Sequence, residues 1–108
     1  MTINEYQALA MRTLNPDLKE QEILLNSVMG LCGEAGEVID HVKKHICHGH
    51  ALDKQHLIKE LGDVAWYLAE AAHALGVSLE EVFEGNIEKL RKRYPKGFST
   101  QKSIEHKE

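Results

Sequence analysis

The sequence of 108 residues lacks any apolar run near the ~20 residues that a membrane-spanning helix needs, and nothing in it resembles a signal peptide. It also lacks an excess of positive charge. Its 13 lysines and arginines stand against 17 acids, a net charge of -4, so no nucleic-acid partner and no membrane partner is expected. Two cysteines, Cys32 and Cys47, are too few for a secreted disulfide framework. Cys32 follows Leu31 on an expected buried face, where a free thiol acts as a small hydrophobe. Paired C-x-x-C half-sites are missing. The run His45-Ile46-Cys47-His48-Gly49-His50, with His41 and His56 nearby, therefore fits no standard zinc finger and reads as a helix end and loop. No Gly-x-x-x-x-Gly-Lys-Ser/Thr phosphate loop is present either. These absences leave one small domain, expected in the reducing cytoplasm.

What is there is helical periodicity. Thr2 with Glu5 forms a capping box for a first helix over 2–14, with Ile3, Tyr6, Ala10 and Leu14 on its apolar side. Asn15-Pro16-Asp17 is a turn. A long helix over about 19–47 has the stripe Leu24, Val28, Leu31, Ala35, Val38, Val42 and Ile46, and Gly49 ends it. Asp53 can cap a third helix running to about Leu75, with the stripe Leu57, Leu61, Val64, Leu68, Ala72 and Leu75. Ser78 and Glu81 box the start of a fourth, with the stripe Leu79, Phe83, Ile87, Leu90 and Tyr94. The expected architecture is an all-α four-helix bundle over 1–98, followed by a polar tail over 99–108 that is loose or used between subunits. Gly30, Gly33 and Gly36 each cost the long helix about 1 kcal/mol relative to alanine. They imply tight packing against a neighbour, or room left beside the adjacent acids.

Those acids are the chemical signal. Glu34-x-x-Glu37 and Glu60-x-x-Asp63 each place two carboxylates on one side of a helix, one position before a stripe residue. If the two stripes pack together, the four acids meet at one edge of the core and need a cation. Oxygen-only donors favour Mg²⁺, with Mn²⁺ as a substitute, over the Glu-x-x-His pattern of di-iron bundles. Asn86, Lys89 and Arg93 share one row of the fourth helix, and its two cations suit a polyphosphate beside such an edge. Any acid not fully engaged with metal could take a proton from water, Glu37 being the first candidate. Tyr67, one turn after Asp63, could border the same site, whereas Trp66 reads as ordinary packing with its polar tip at the surface.

Gly30 to Glu37, Glu60 to Tyr67, and Asn86 to Leu90 with Arg93 to Phe98 together resemble the three motifs of the MazG-like all-α nucleoside triphosphate pyrophosphohydrolases. The resemblance covers about residues 3–98 and implies Mg²⁺-dependent hydrolysis of a nucleoside triphosphate to monophosphate and pyrophosphate, as in nucleotide-pool house-cleaning. By position, it implies Glu34, Glu37, Glu60 and Asp63 as metal ligands and Lys89 and Arg93 as phosphate contacts. Asn86 and Tyr67 become substrate neighbours. It also implies a homodimer or a dimer of dimers with sites near subunit contacts. Full-length MazG proteins carry two such domains in tandem, and this sequence has one. Two other readings share the scaffold: a phosphoribosyl-ATP pyrophosphohydrolase or dUTPase-like enzyme, and a non-catalytic helical module stabilised by its metal.

Overall fold

The computed structural model describes residues 1–106, which contain five helices and no strand. They are α1 (Ile3–Met11), α2 (Glu20–His48), α3 (Lys54–Ala74), α4 (Leu79–Arg93) and α5 (Thr100–Glu105). None is long and apolar enough to cross a membrane. Local chemistry sets their ends. The Thr2 hydroxyl accepts from the Glu5 amide while the Glu5 carboxylate accepts from the Thr2 amide, the full capping box. Gly49 ends α2 in the left-handed conformation, at φ 72°. Asp53 caps α3 by accepting from the His56 amide at 3.0 Å, and Ser78 caps α4 by accepting from the Glu81 amide at 3.1 Å.

The two long helices, α2 and α3, form an antiparallel pair, and side-chain contacts fix its register. His41 meets His56 at one end, Glu34 and Glu37 meet Glu60, Gly30 lies against Tyr67, and Asn26 meets Glu70 at the far end. Helix α1 packs on α3 and α4 and ties them together. Gln7 donates to the carbonyls of Ala69 and Val77 and accepts from the Leu79 amide, so one side chain joins the end of α3 to the start of α4. Around this joint lies a small core of Ala10, Ala69 and Leu79, with Tyr6, Met11, Trp66 and Leu68 against it. The Trp66 indole is not a surface tip. Its N–H donates to the Ala10 carbonyl at 3.1 Å and the Thr13 hydroxyl at 2.8 Å, anchoring the last turn of α1.

Two further expectations need correction. The apolar stripes do not pack on each other within one chain. Leu24, Val28 and Ile46 of α2 and Leu61 and Leu75 of α3 are exposed, Leu61 to 58%. The rows that face across the pair are instead largely polar, running through Ser27, Gly30, Glu34 and His41 on α2 and through His56, Glu60, Tyr67 and Glu70 on α3. Cys32 is accordingly exposed rather than buried, as is Cys47. The polar tail contains the short helix α5, capped by Ser99, whose hydroxyl accepts from the Lys102 amide. Residues 107 and 108 of that tail lie outside the described residues.

Candidate metal centre

The i,i+3 spacing on α2 and the antiparallel register of α3 bring three carboxylates together. One oxygen from each of Glu34, Glu37 and Glu60 lies within 4.8 Å of the others. Glu60 is the deepest at 7% exposure, Glu34 is half-buried and Glu37 is exposed. Two oxygens in the group, Glu34 Oε2 and Glu60 Oε2, are buried with no N–H or hydroxyl donor, so only a proton shared between the carboxyls could bond them. An orphaned carboxylate oxygen is costly unless a proton or a cation occupies the space beside it.

Protons show the strain of this arrangement. The Glu34 carboxyl is pushed up to about 7, first by hydrogen bonding to Glu60, then by burial and by the charges of Glu37, Glu60 and Asp63. Glu37 is raised as well, chiefly by a hydrogen bond to Glu60 and by its charge. The cluster therefore holds its protons to higher pH than separate carboxylates would, and a divalent cation would displace them. The donor set is all carboxylate oxygen, two of the oxygens are orphaned and the ligands come from two rigid helices. These features fit a hard cation such as Mg²⁺.

Asp63 falls outside the three-acid group. It is exposed, lines a hollow with Glu34, Trp66 and Tyr67, and its charge reaches Glu34 and also the Tyr6 phenol, which burial pushes up first and the Asp63 charge second. Tyr67 thus borders the acidic site from the Asp63 side. A second hollow opens on the other side, lined in part by Gly33, Gly36, Glu37, Lys44, His56 and Glu60. At its rim Lys44 and Lys43 pair with Asp40 at 2.8 and 3.4 Å, and Lys44 leads in holding the Asp40 carboxyl below its usual range. Lys89 and Arg93 lie elsewhere in the single chain. They line a hollow with Gly85, Glu88, Lys92 and His106, and the Arg93 guanidinium sits over the Tyr94 ring, 5.8 Å from its centre. Asn86 is exposed on the same helix. One contact to the cluster has no counterpart in the motif reading. The His56 Nε2 and Glu60 Oε1 are 3.0 Å apart, a pair that i,i+4 spacing on α3 allows but that the acidic motifs do not call for.

Residues 24–98 match the family described as MazG nucleotide pyrophosphohydrolase domain. The chain is 41% identical over 73 residues to the "Gene 37 protein" of Mycobacterium phage L5, a stretch that covers 64% of each chain. It is 50% identical over 44 residues to the "Uncharacterized protein YvdC" of Bacillus subtilis (strain 168), covering 41% of this chain and 42% of that one. The match thus spans just under two thirds of one relative and less than half of the other. No solved structure matches the chain at a significant level.

Proposed function

This chain belongs to the MazG nucleotide pyrophosphohydrolase family, and on that premise we propose that it cleaves a nucleoside triphosphate to the monophosphate and pyrophosphate with Mg²⁺ held at Glu34, Glu37 and Glu60. The observation that carries the reading is the buried Glu60 carboxylate, its Oε2 without a donor, brought within 4.8 Å of two further carboxylates from the neighbouring helix. Asp63 stands one turn along α3, beside Glu34, where it can complete the ligand set or orient what binds there. When bound, Mg²⁺ would neutralise phosphate oxygens and make water a better nucleophile at neutral pH. The chain's own part is to converge the acids, keep one carboxylate able to accept the proton that water gives up, and present an open hollow for the substrate. Glu37 is the most exposed of the three clustered acids and already favours protonation, so it is the choice for that proton. Tyr67 offers a ring edge and a hydroxyl for the nucleoside beside Glu34.

Lys89 and Arg93 are the phosphate contacts in this reading, and Asn86 their neighbour. They line a hollow that none of the acids lines, so a second copy of the chain is the natural way to bring them to the acids. The test is product analysis on a panel of nucleoside triphosphates with Mg²⁺ and with EDTA. Pyrophosphate released from several of them only with Mg²⁺, and lost in Glu37→Gln with the helical fold intact, is the expected result. Strict preference for one substrate would point to the phosphoribosyl-ATP or dUTPase-like relatives. Magnesium-dependent stabilisation without product would identify a binding module instead.

A further inference from the structure

The two oxygens of Glu60 have unequal surroundings. Oε1 lies 3.0 Å from His56 Nε2, whereas Oε2 is buried with no such donor, and the carboxylate brings one oxygen within 4.8 Å of Glu34 and Glu37. The imidazole that holds Oε1 is itself held. Its residue's amide donates to Asp53 Oδ1 at 3.0 Å, fixing it in the first turn of α3. Its ring packs against His41 of α2, centres 5.3 Å apart. His41 is fixed in turn, because its Nε2 accepts from the Asp53 amide at 3.1 Å, which leaves the His41 ring proton on Nδ1. A continuous set of contacts therefore runs from α2 through the cap of α3 to one oxygen of the deepest carboxylate in the cluster. The ring itself thus has Glu60 on one side and His41 on the other.

We propose that His56 is a positioning residue whose Nε2–H holds Glu60 Oε1, so that Oε2 is the oxygen turned toward the cation. The inference rests on the metal reading above. The last torsion of a glutamate is broad and roughly two-fold, so a free carboxylate spends much of its time misdirected. One N–H bond from a fixed ring removes that freedom before any cation arrives. Partners that orient ligands in this way typically change metal affinity 10–100-fold when lost. A plain exposed ion pair, the alternative for a histidine whose side chain is 50% exposed, would leave metal affinity nearly untouched.

Two substitutions in the full chain separate the donor from the ring. His56→Phe keeps an aromatic ring against His41 and removes the N–H. His56→Gln loses the ring but can place an amide N–H at the same distance along the side chain. Mn²⁺ affinity, read from the electron paramagnetic resonance of free Mn²⁺, is the measurement, with circular dichroism confirming helix content. The expected result is binding weakened 10–100-fold in His56→Phe and restored to within a few-fold of wild type in His56→Gln. Equal binding in wild type and His56→Phe would overturn the proposal while leaving the metal reading in place. So would a His56→Gln variant as weak as His56→Phe, since the ring and not the donor would then matter. A wild-type chain that binds no Mn²⁺, or binds it equally well as Glu37→Gln, would remove the metal reading and this proposal with it.

Discussion

Glu34 keeps its proton to higher pH than an ordinary carboxylate does, because Glu60, burial and the neighbouring acids disfavour its charge, and that proton is a handle on the whole cluster. Its folded pKa of about 7 lies above the ordinary glutamate value of 4.5, so the folded chain binds more protons than the unfolded chain between those two values. The stability it contributes is therefore full below the unfolded pKa and lost as pH rises through about 7. Melting temperature in EDTA should fall from pH 5 to pH 7 and level off above, and Glu34→Gln should flatten the fall. Saturating Mg²⁺ should reverse the trend, because deprotonated carboxylates bind it best. A slope in EDTA that is unchanged in Glu34→Gln would show that other groups set it. Glu34, Glu37 and Glu60 are legible in the sequence because i,i+3 spacing alone aims each pair of acids one way. Glu70 is not. It is fully buried and takes two hydrogen bonds from Asn26, at 3.0 and 2.9 Å, yet Asn26 is 44 residues away in sequence and no local pattern marks either residue.

At the scale of the helix, the three glycines of α2 divide by what lies opposite them. A Cβ at Gly30 would run into the Tyr67 ring, whereas at Gly33 and Gly36 it would meet nothing within 4 Å. Gly30 is thus explained by packing, and by an aromatic ring rather than a second backbone. Gly33 and Gly36 line the open hollow beside Glu37 and Glu60, so their smallness leaves space instead of filling it. Gly36→Ala should stabilise the chain by up to about 1 kcal/mol through helix propensity. Gly30→Ala should destabilise it despite the same propensity gain, by displacing Tyr67. Denaturant unfolding of the two variants checks this, and equal shifts of the same sign would contradict the packing account. Periodicity makes the helices legible, with ends within about three residues of the expected ones. It does not make their partners legible. A stripe of Leu24, Val28 and Leu61 says that a face wants burial, but not which molecule supplies the cover.

The whole molecule is more open than a lone folded chain of its length usually is. Its radius of gyration is 16.9 Å, where a compact chain of this length would have about 13 Å. Its accessible surface of 8138 Å² exceeds by about 2,000 Å² what a folded monomer of this mass exposes. An excess of that size in one chain matches a permanent subunit interface rather than a transient one. The uncovered residues are also apolar: Leu24, Leu25, Val28 and Met29 on α2, Leu61 on α3, and Phe83, Ile87 and Leu90 on α4. If a self-associating copy covers them, Leu25→Glu with Val28→Glu should yield smaller, less stable particles by sedimentation; an unchanged sedimentation coefficient would overturn that cover. The same association addresses the distance between chemistry and charge. If Lys89 of one copy serves the acids of another, neither Glu37→Gln nor Lys89→Ala is active alone, yet their co-refolded mixture is. Each intact site then needs wild-type acids from one copy and wild-type Lys89 from the other. Random pairing in a symmetric oligomer gives about a quarter of wild-type turnover. A mixture that exchanges subunits and stays inactive would place both groups of one site in the same chain, and α4 would then have to move toward α2 for catalysis.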